Sequence, residues 1–266
     1  MISMSVFYYI LKLSVCLIIV WLFYQLVLRR LTFYTWNRWY LVVCTSLAFL
    51  LPLINIAPVL KKYNWNKTGL VTAIPRIPDY SPVNVAIPEP ALSERLLTWL
   101  PYIIITGALV MLTRLLVQYV SLLAMRRSSQ LILNGPVKVY QVDRPVIPFS
   151  FGNAIYINQH LHEEEELKEI IRHEFIHVKQ RHTIDIIWSE AICILSWYNP
   201  FSWLLRKAIR QNLEFIADQQ VLKTGLDRRQ YQYLLLKVIG VPTYSIASNF
   251  NFKSLKKRIA MMNKVK

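Results

Sequence analysis

The sequence predicts a mainly α, multi-pass membrane protein in which three N-terminal transmembrane helices lead into a small α+β domain. Three features predict it: long apolar runs confined to the first half of the chain, a Pro-rich interruption between the second and third runs, and a later region of short β-branched segments and uninterrupted helical stretches. Composition agrees, with 55% hydrophobic residues, a mean hydropathy of +0.33 and 31 Lys and Arg against 15 Asp and Glu. That basic surplus suits the anionic head groups of membrane lipid, the first expected partner. The bases are scattered among apolar runs and form no nucleic-acid-binding motif, so direct nucleic-acid binding is not expected. Cys16, Cys44 and Cys193 lie in apolar stretches without paired spacing, which implies neither a disulfide framework nor a cysteine metal site.

In chain order, residues 5–28 form the first predicted span, marred only by Lys12 and followed by Arg29 and Arg30. The run is too long for a secretory signal and lacks a small-residue cleavage site. Residues 39–60 form the second span, in which Pro52 is tolerable. The short loop between them carries Arg29, Arg30 and Arg38 and no acid, which places it in the cytoplasm and the N-terminus outside. Pro75, Pro78, Pro82, Pro88 and Pro90 make residues 61–95 an extended connector. Residues 96–123 form the third span, with Arg114 either pairing with a group in the bundle or, as its place near the inner end favours, snorkelling to the interface, and Arg126 and Arg127 marking the return to the cytoplasm. The membrane domain therefore covers residues 1–127 and the second domain residues 128–266.

Within the second domain, residues 137–141 and 146–157 read as short strands broken by Asp143, Pro145 and Gly152. Residues 167–182 then form a helix: Leu167, Ile170, Ile171 and Val178 make one apolar stripe, acids gather at its start and bases at its end. On it lies His173-Glu174-Phe175-Ile176-His177, an H-E-x-x-H motif. Residues four apart share a helix face, so His173 and His177 can offer two imidazoles to one zinc ion, with Glu174 placed as the general base. A catalytic zinc needs a third protein ligand. Residues 210–222 are again helical, and Glu214 and Asp218 share a face; Glu214 is the expected third ligand, and Asp218 the acceptor for the free N–H of a ligand histidine. Residues 184–205 are apolar, but Asp185, Glu190, Asn199 and Pro200 cut them into pieces too short to span a bilayer. They are expected to join the two ligand helices as a buried or interfacial helix. The basic tail, residues 252–266, reads as a membrane-surface helix or a solvated end.

H-E-x-x-H followed by Glu214-x-x-Ala217-Asp218 resembles the zinc peptidases whose third ligand is a glutamate. Within that group the chain looks most like the membrane-embedded BlaR/MecR-type peptidases. Pro148-Phe149-Ser150-Phe151-Gly152, Ala154-Ile155-Tyr156-Ile157 and Trp197-Tyr198-Asn199-Pro200 extend the resemblance over nearly the whole chain. It implies a gluzincin-like α+β domain facing the cytoplasm of the bacterial inner membrane. It also implies an edge strand that receives the substrate by main-chain pairing. A protein or peptide substrate follows, such as a cytoplasmic transcriptional repressor or the chain itself, cleaved in signal transduction or regulated proteolysis. Sensor-type relatives continue into a fourth span and an outer ligand-binding domain, which the sequence to Lys266 does not carry; either a separate protein supplies the signal or this is a fragment or short form, and beta-lactam sensing does not carry over. A homo-oligomer is compatible with the sequence.

Zinc-assisted hydrolysis needs a further donor for the developing oxyanion, and His182, Arg181 and Arg210 are the candidates. Two other classes stay open: a prenyl-protein or quality-control membrane protease, similar at both motifs, and a non-enzymatic membrane transducer with structural zinc. The presence of Glu174 favours hydrolysis, because structural zinc has no use for a base.

Overall fold

A computed structural model describes residues 2–54, 92–240 and 245–264. Helix α1 covers Ile2–Leu26, α2 Tyr34–Leu50 and α3 Leu92–Ser128, the last with Pro101 inside it. The predicted connector lies almost wholly outside the described residues, and the third helix begins a turn earlier than expected. Among the described residues two helices are long and apolar enough to cross a membrane, Val6–Arg30 and Trp99–Ser128. This corrects the expectation of three spans. Helix α2 has 17 residues and passes into a 3-10 turn at Leu51–Leu53, and residues 55–60 of the second predicted span lie outside the described residues. Its first turns are polar and committed to the protein: Asn37 donates to Leu28 O at 3.1 Å, and Arg38 grips Asp185.

After α3 come four short strands, β1 Gln130–Asn134, β2 Lys138–Gln141, β3 Phe149–Phe151 and β4 Ala154–Ile157. They form one sheet in the order β1-β2-β4-β3, in which β2 runs parallel to β4 and the other pairs are antiparallel. The two predicted strand regions are here, the second folded into the β3–β4 hairpin by Gly152 at φ 61°. Strand β1 gave no sequence signal because it is fully exposed and has no buried face to impose alternation.

Helix α4 spans Glu164–Lys179, α5 His182–Leu195, α6 Pro200–Leu222, α7 Arg228–Gly240 and α8 Ser245–Met262. The predicted ligand helices are α4 and α6, and α5 is the short apolar joining helix. Glu163 and Glu166 close a capping box on α4, and Asn199 caps α6 by accepting from Phe201 N at 2.9 Å, with Pro200 in the first turn. Helix α6 is the wall between two cores. Leu205, Ile209, Leu213 and Ile216 pack with Leu13 and Leu17 of α1, Leu41 of α2 and Ile192 of α5. Ala217 and Val221 pack with Ile155 and Ile157 of β4, Ile176 and Val178 of α4, Tyr231 of α7 and Leu255 of α8. Helix α3 joins by a close approach: a Cβ at Gly107 would overlap the ring of Trp197, whose indole N–H donates to Ile104 O at 3.0 Å.

Helix α8 corrects the reading of the basic tail. Leu255, Arg258 and Met262 are buried, because their i, i+3, i+7 spacing puts them on one face against α6 and α7. Lys253 and Lys256 lie on the exposed side.

Candidate metal centre

Burial decides what the α4 motif does. His173 is 8% exposed, and its Nε2 lies 3.2 Å from His177 Nε2 one turn on. Glu214 arrives from α6, placing Oε2 3.5 Å from His173 Nε2 and Oε1 3.7 Å from His177 Nε2. The candidate ligand atoms of all three residues lie within 4.8 Å of one another, so the predicted trio converges. Both imidazoles are held from behind. His173 Nδ1 meets Tyr231 Oη at 2.8 Å, and His177 Nδ1 meets His182 Nδ1 at 2.8 Å. His182 in turn sets its Nε2 3.2 Å from Gln180 Oε1. Each Nδ1 is engaged, which leaves each Nε2 lone pair directed at the shared point.

Asp218 is close to its expected place but reaches His173 through an intermediary. Its Oδ1 lies 3.6 Å from His173 Nδ1, and the Tyr231 hydroxyl donates to it at 2.9 Å. Asp218 is also held by Arg258, which donates from Nε to Oδ2 at 2.8 Å and from Nη2 to Oδ1 at 2.5 Å. Arg258 Nη1 stands 2.9 Å from Glu214 Oε2. One buried guanidinium therefore fixes both carboxylates of α6. Tyr231 and Arg258 were missed from the sequence: Tyr231 sits in an amphipathic helix without a motif, and Arg258 sits among surface lysines. The available signal was the Leu255–Arg258–Met262 stripe, which marks Arg258 as inward-facing.

The electrostatics favour ligand protonation states at His177 and Glu214, whereas His173, which burial would lower, is pushed up by its hydrogen bond to Glu214. Burial, opposed by Glu214 and reinforced by His173, pushes His177 down to about 4, and burial beside His177 pushes His182 down to about 3, so both rings are neutral at pH 7. Burial would raise Glu214, but Arg258 and the two imidazoles outweigh it and hold the carboxyl far below the usual carboxylate range. Two carboxylates against one guanidinium leave a negative excess, which a divalent cation beside the imidazoles would balance. Buried nitrogen and carboxylate donors converging in this way fit zinc.

Glu174 lies beside the trio, with the Ser150 hydroxyl hydrogen-bonded to its carboxylate; burial lifts it to about 6. It lines a cavity of about 290 Å³ with Ser150, His173, His177, Glu214 and Tyr231. Strand β3 borders this cavity and packs on α4; as the last strand of the sheet it leaves one main-chain edge unpaired by β4. The three oxyanion candidates are not brought to the cavity. His182 is fully buried behind His177, Arg210 pairs with Glu190 at 2.5 Å, and Arg181 occupies the turn between α4 and α5 with φ 54°. The turn folds α5 back on α4, so His182 backs the His177 imidazole instead.

The family model described as "BlaR1 peptidase M56" matches residues 4–262. The chain is 33% identical over 107 residues to the regulatory protein BlaR1 of Bacillus licheniformis, covering 36% of this chain and 17% of the relative. It is 27% identical over 123 residues to the regulatory protein BlaR1 of Staphylococcus aureus, covering 43% of this chain and 20% of the relative. The matched stretches thus span a fifth or less of those relatives. The family match instead runs from α1 through α8 and takes in both apolar membrane-length helices and the convergent trio, and on that ground the chain belongs to the BlaR1 peptidase M56 family.

Proposed function

We propose that the chain is a membrane-embedded zinc metalloendopeptidase that cleaves a protein substrate at the cytoplasmic face of the bacterial inner membrane, in signal transduction or regulated proteolysis. The observation that carries this reading is the convergence of His173, His177 and Glu214 with Glu174 on the same cavity wall. Residues 1–127 would serve as the membrane part and 128–266 as the catalytic part.

His173 and His177 through Nε2, and Glu214 through its carboxylate, would hold zinc; when bound, the ion supplies Lewis-acid polarisation of the scissile carbonyl and of water. The peptide lies extended along the free edge of β3, where main-chain pairing fixes its register and sets the scissile bond over the cavity. Glu174 takes a proton from the attacking water and delivers it to the leaving amine nitrogen. A carboxyl lifted to about 6 is suited to both steps near neutral pH. Ser150 orients that carboxylate, Tyr231 and His182 orient the two imidazoles, and Arg258 keeps Glu214 ionised and holds Asp218 in place. A cytoplasmic repressor or the chain itself fits the substrate class.

The test is metal content per chain of detergent-solubilised protein, read beside hydrolysis of casein. About one zinc per chain, lost in His173→Ala and Glu214→Ala, with Glu174→Gln keeping zinc but not hydrolysis, is expected. Full hydrolysis by zinc-loaded Glu174→Gln would overturn the assignment of the base, and a zinc-free parent would overturn the peptidase reading.

A further inference from the structure

A second cavity lies where α6 meets α1 and α8, and it shares no lining residue with the cavity of the metal centre. It measures about 310 Å³ and combines two chemistries. Its walls are apolar, with Trp21 and Tyr24 of α1, Phe215 of α6 and Met261 of α8; its cations are Arg29, Lys207 and Lys257. No carboxylate lines it among the described residues. Arg29 follows the last turns of α1, one of the two helices long and apolar enough to cross a membrane, so the cations collect where that helix ends. Three separate elements converge there, and α8 is tied to the same end by the Lys264 ammonium donating to Arg30 O.

We infer that this groove binds an anionic phospholipid, with Arg29, Lys207 and Lys257 on the headgroup phosphate and an acyl chain along Trp21, Phe215 and Met261. The position of the groove beside α1 supports a lipid source over free phosphate, because soluble phosphate has no use for the apolar wall. The Lys257 ammonium is pushed down by partial burial and by Arg29, Lys207 and Lys253 nearby, a mutual repulsion that a bound anion relieves. The site is separate from the proposed catalytic chemistry and depends only on α1 crossing a membrane.

The experiment uses the full chain in neutral detergent, titrated with phosphatidylglycerol, phosphatidylcholine or inorganic phosphate, with melting temperature as the readout and zinc content as a fold control. Phosphatidylglycerol should raise the melting temperature saturably, while phosphatidylcholine and inorganic phosphate should not. Arg29→Gln with Lys257→Gln should weaken the apparent affinity by about tenfold or more. Ala260→Trp, which fills the groove and keeps every charge, should also abolish the shift even if the charge variant folds poorly. Arg126→Gln with Arg127→Gln, at the end of α3, should leave it intact. An equal shift with inorganic phosphate, an equal loss in the α3 variant, or a shift that survives Ala260→Trp would overturn the assignment.

Discussion

The two faces of α6 are held by opposite means. One face buries Leu205, Ile209, Leu213 and Ile216 against α1, α2 and α5; the other presents Glu214 and Asp218 to Arg258, Tyr231 and the imidazoles of α4. Apolar burial is non-directional and tolerates small shifts, whereas the polar face works through angles and charges that depend on one another. The first face thus decides where α6 sits, and the second decides what its carboxylates can hold.

The largest expected effect breaks the polar face at its centre. Glu214→Ala should reduce bound zinc from about one per chain to nearly none, measured by elemental analysis, with hydrolysis lost in proportion. Arg258→Met comes next: it strands the buried Asp218 charge and should cost about 3–5 kcal/mol of stability along with zinc affinity. Leu205→Ala on the apolar face should cost a similar 2–5 kcal/mol or so by denaturant unfolding, yet leave zinc stoichiometry at the parent value. If both variants lose metal equally, the division between the faces fails. Tyr231→Phe and His182→Leu should each weaken zinc affinity by about 10- to 100-fold in competition with a chelator, because each frees one imidazole to turn. The smallest effect belongs to the turn that delivers His182. Arg181→Val, a β-branched residue forced to positive φ, should cost about 1 kcal/mol by thermal unfolding.

Legibility in the sequence follows the same division. His173, His177, Glu214 and Asp218 were readable because helix periodicity alone brings residues four apart onto one face, and only one long-range contact, α4 to α6, had to be supplied. Tyr231 and Arg258 depend on how α7 and α8 dock, which local spacing does not encode. The role of His182 was misjudged because its placement comes from a left-handed Arg181, a conformation that carries no composition signal in a non-glycine residue. In residues 1–127, α1 and α3 were evident as membrane-length helices from their apolar runs. Helix α2 falls short of membrane length among the described residues, and one side of it, with Leu41 and Ala48, packs into the core shared with α1, α5 and α6.

The bare notch at Gly107 works as a register pin. Neighbouring turns of α3 present Ile103 and Met111 at the equivalent positions, and sliding the helix by one turn, about 5.4 Å, would drive one of them into the Trp197 ring. Lengthwise travel of this long helix is therefore quantised: it keeps its present setting or lifts Trp197 away. Trp197 lies three residues before Pro200, the first residue of α6. Any axial displacement of α3 must therefore displace Trp197, three residues ahead of the helix that carries Glu214.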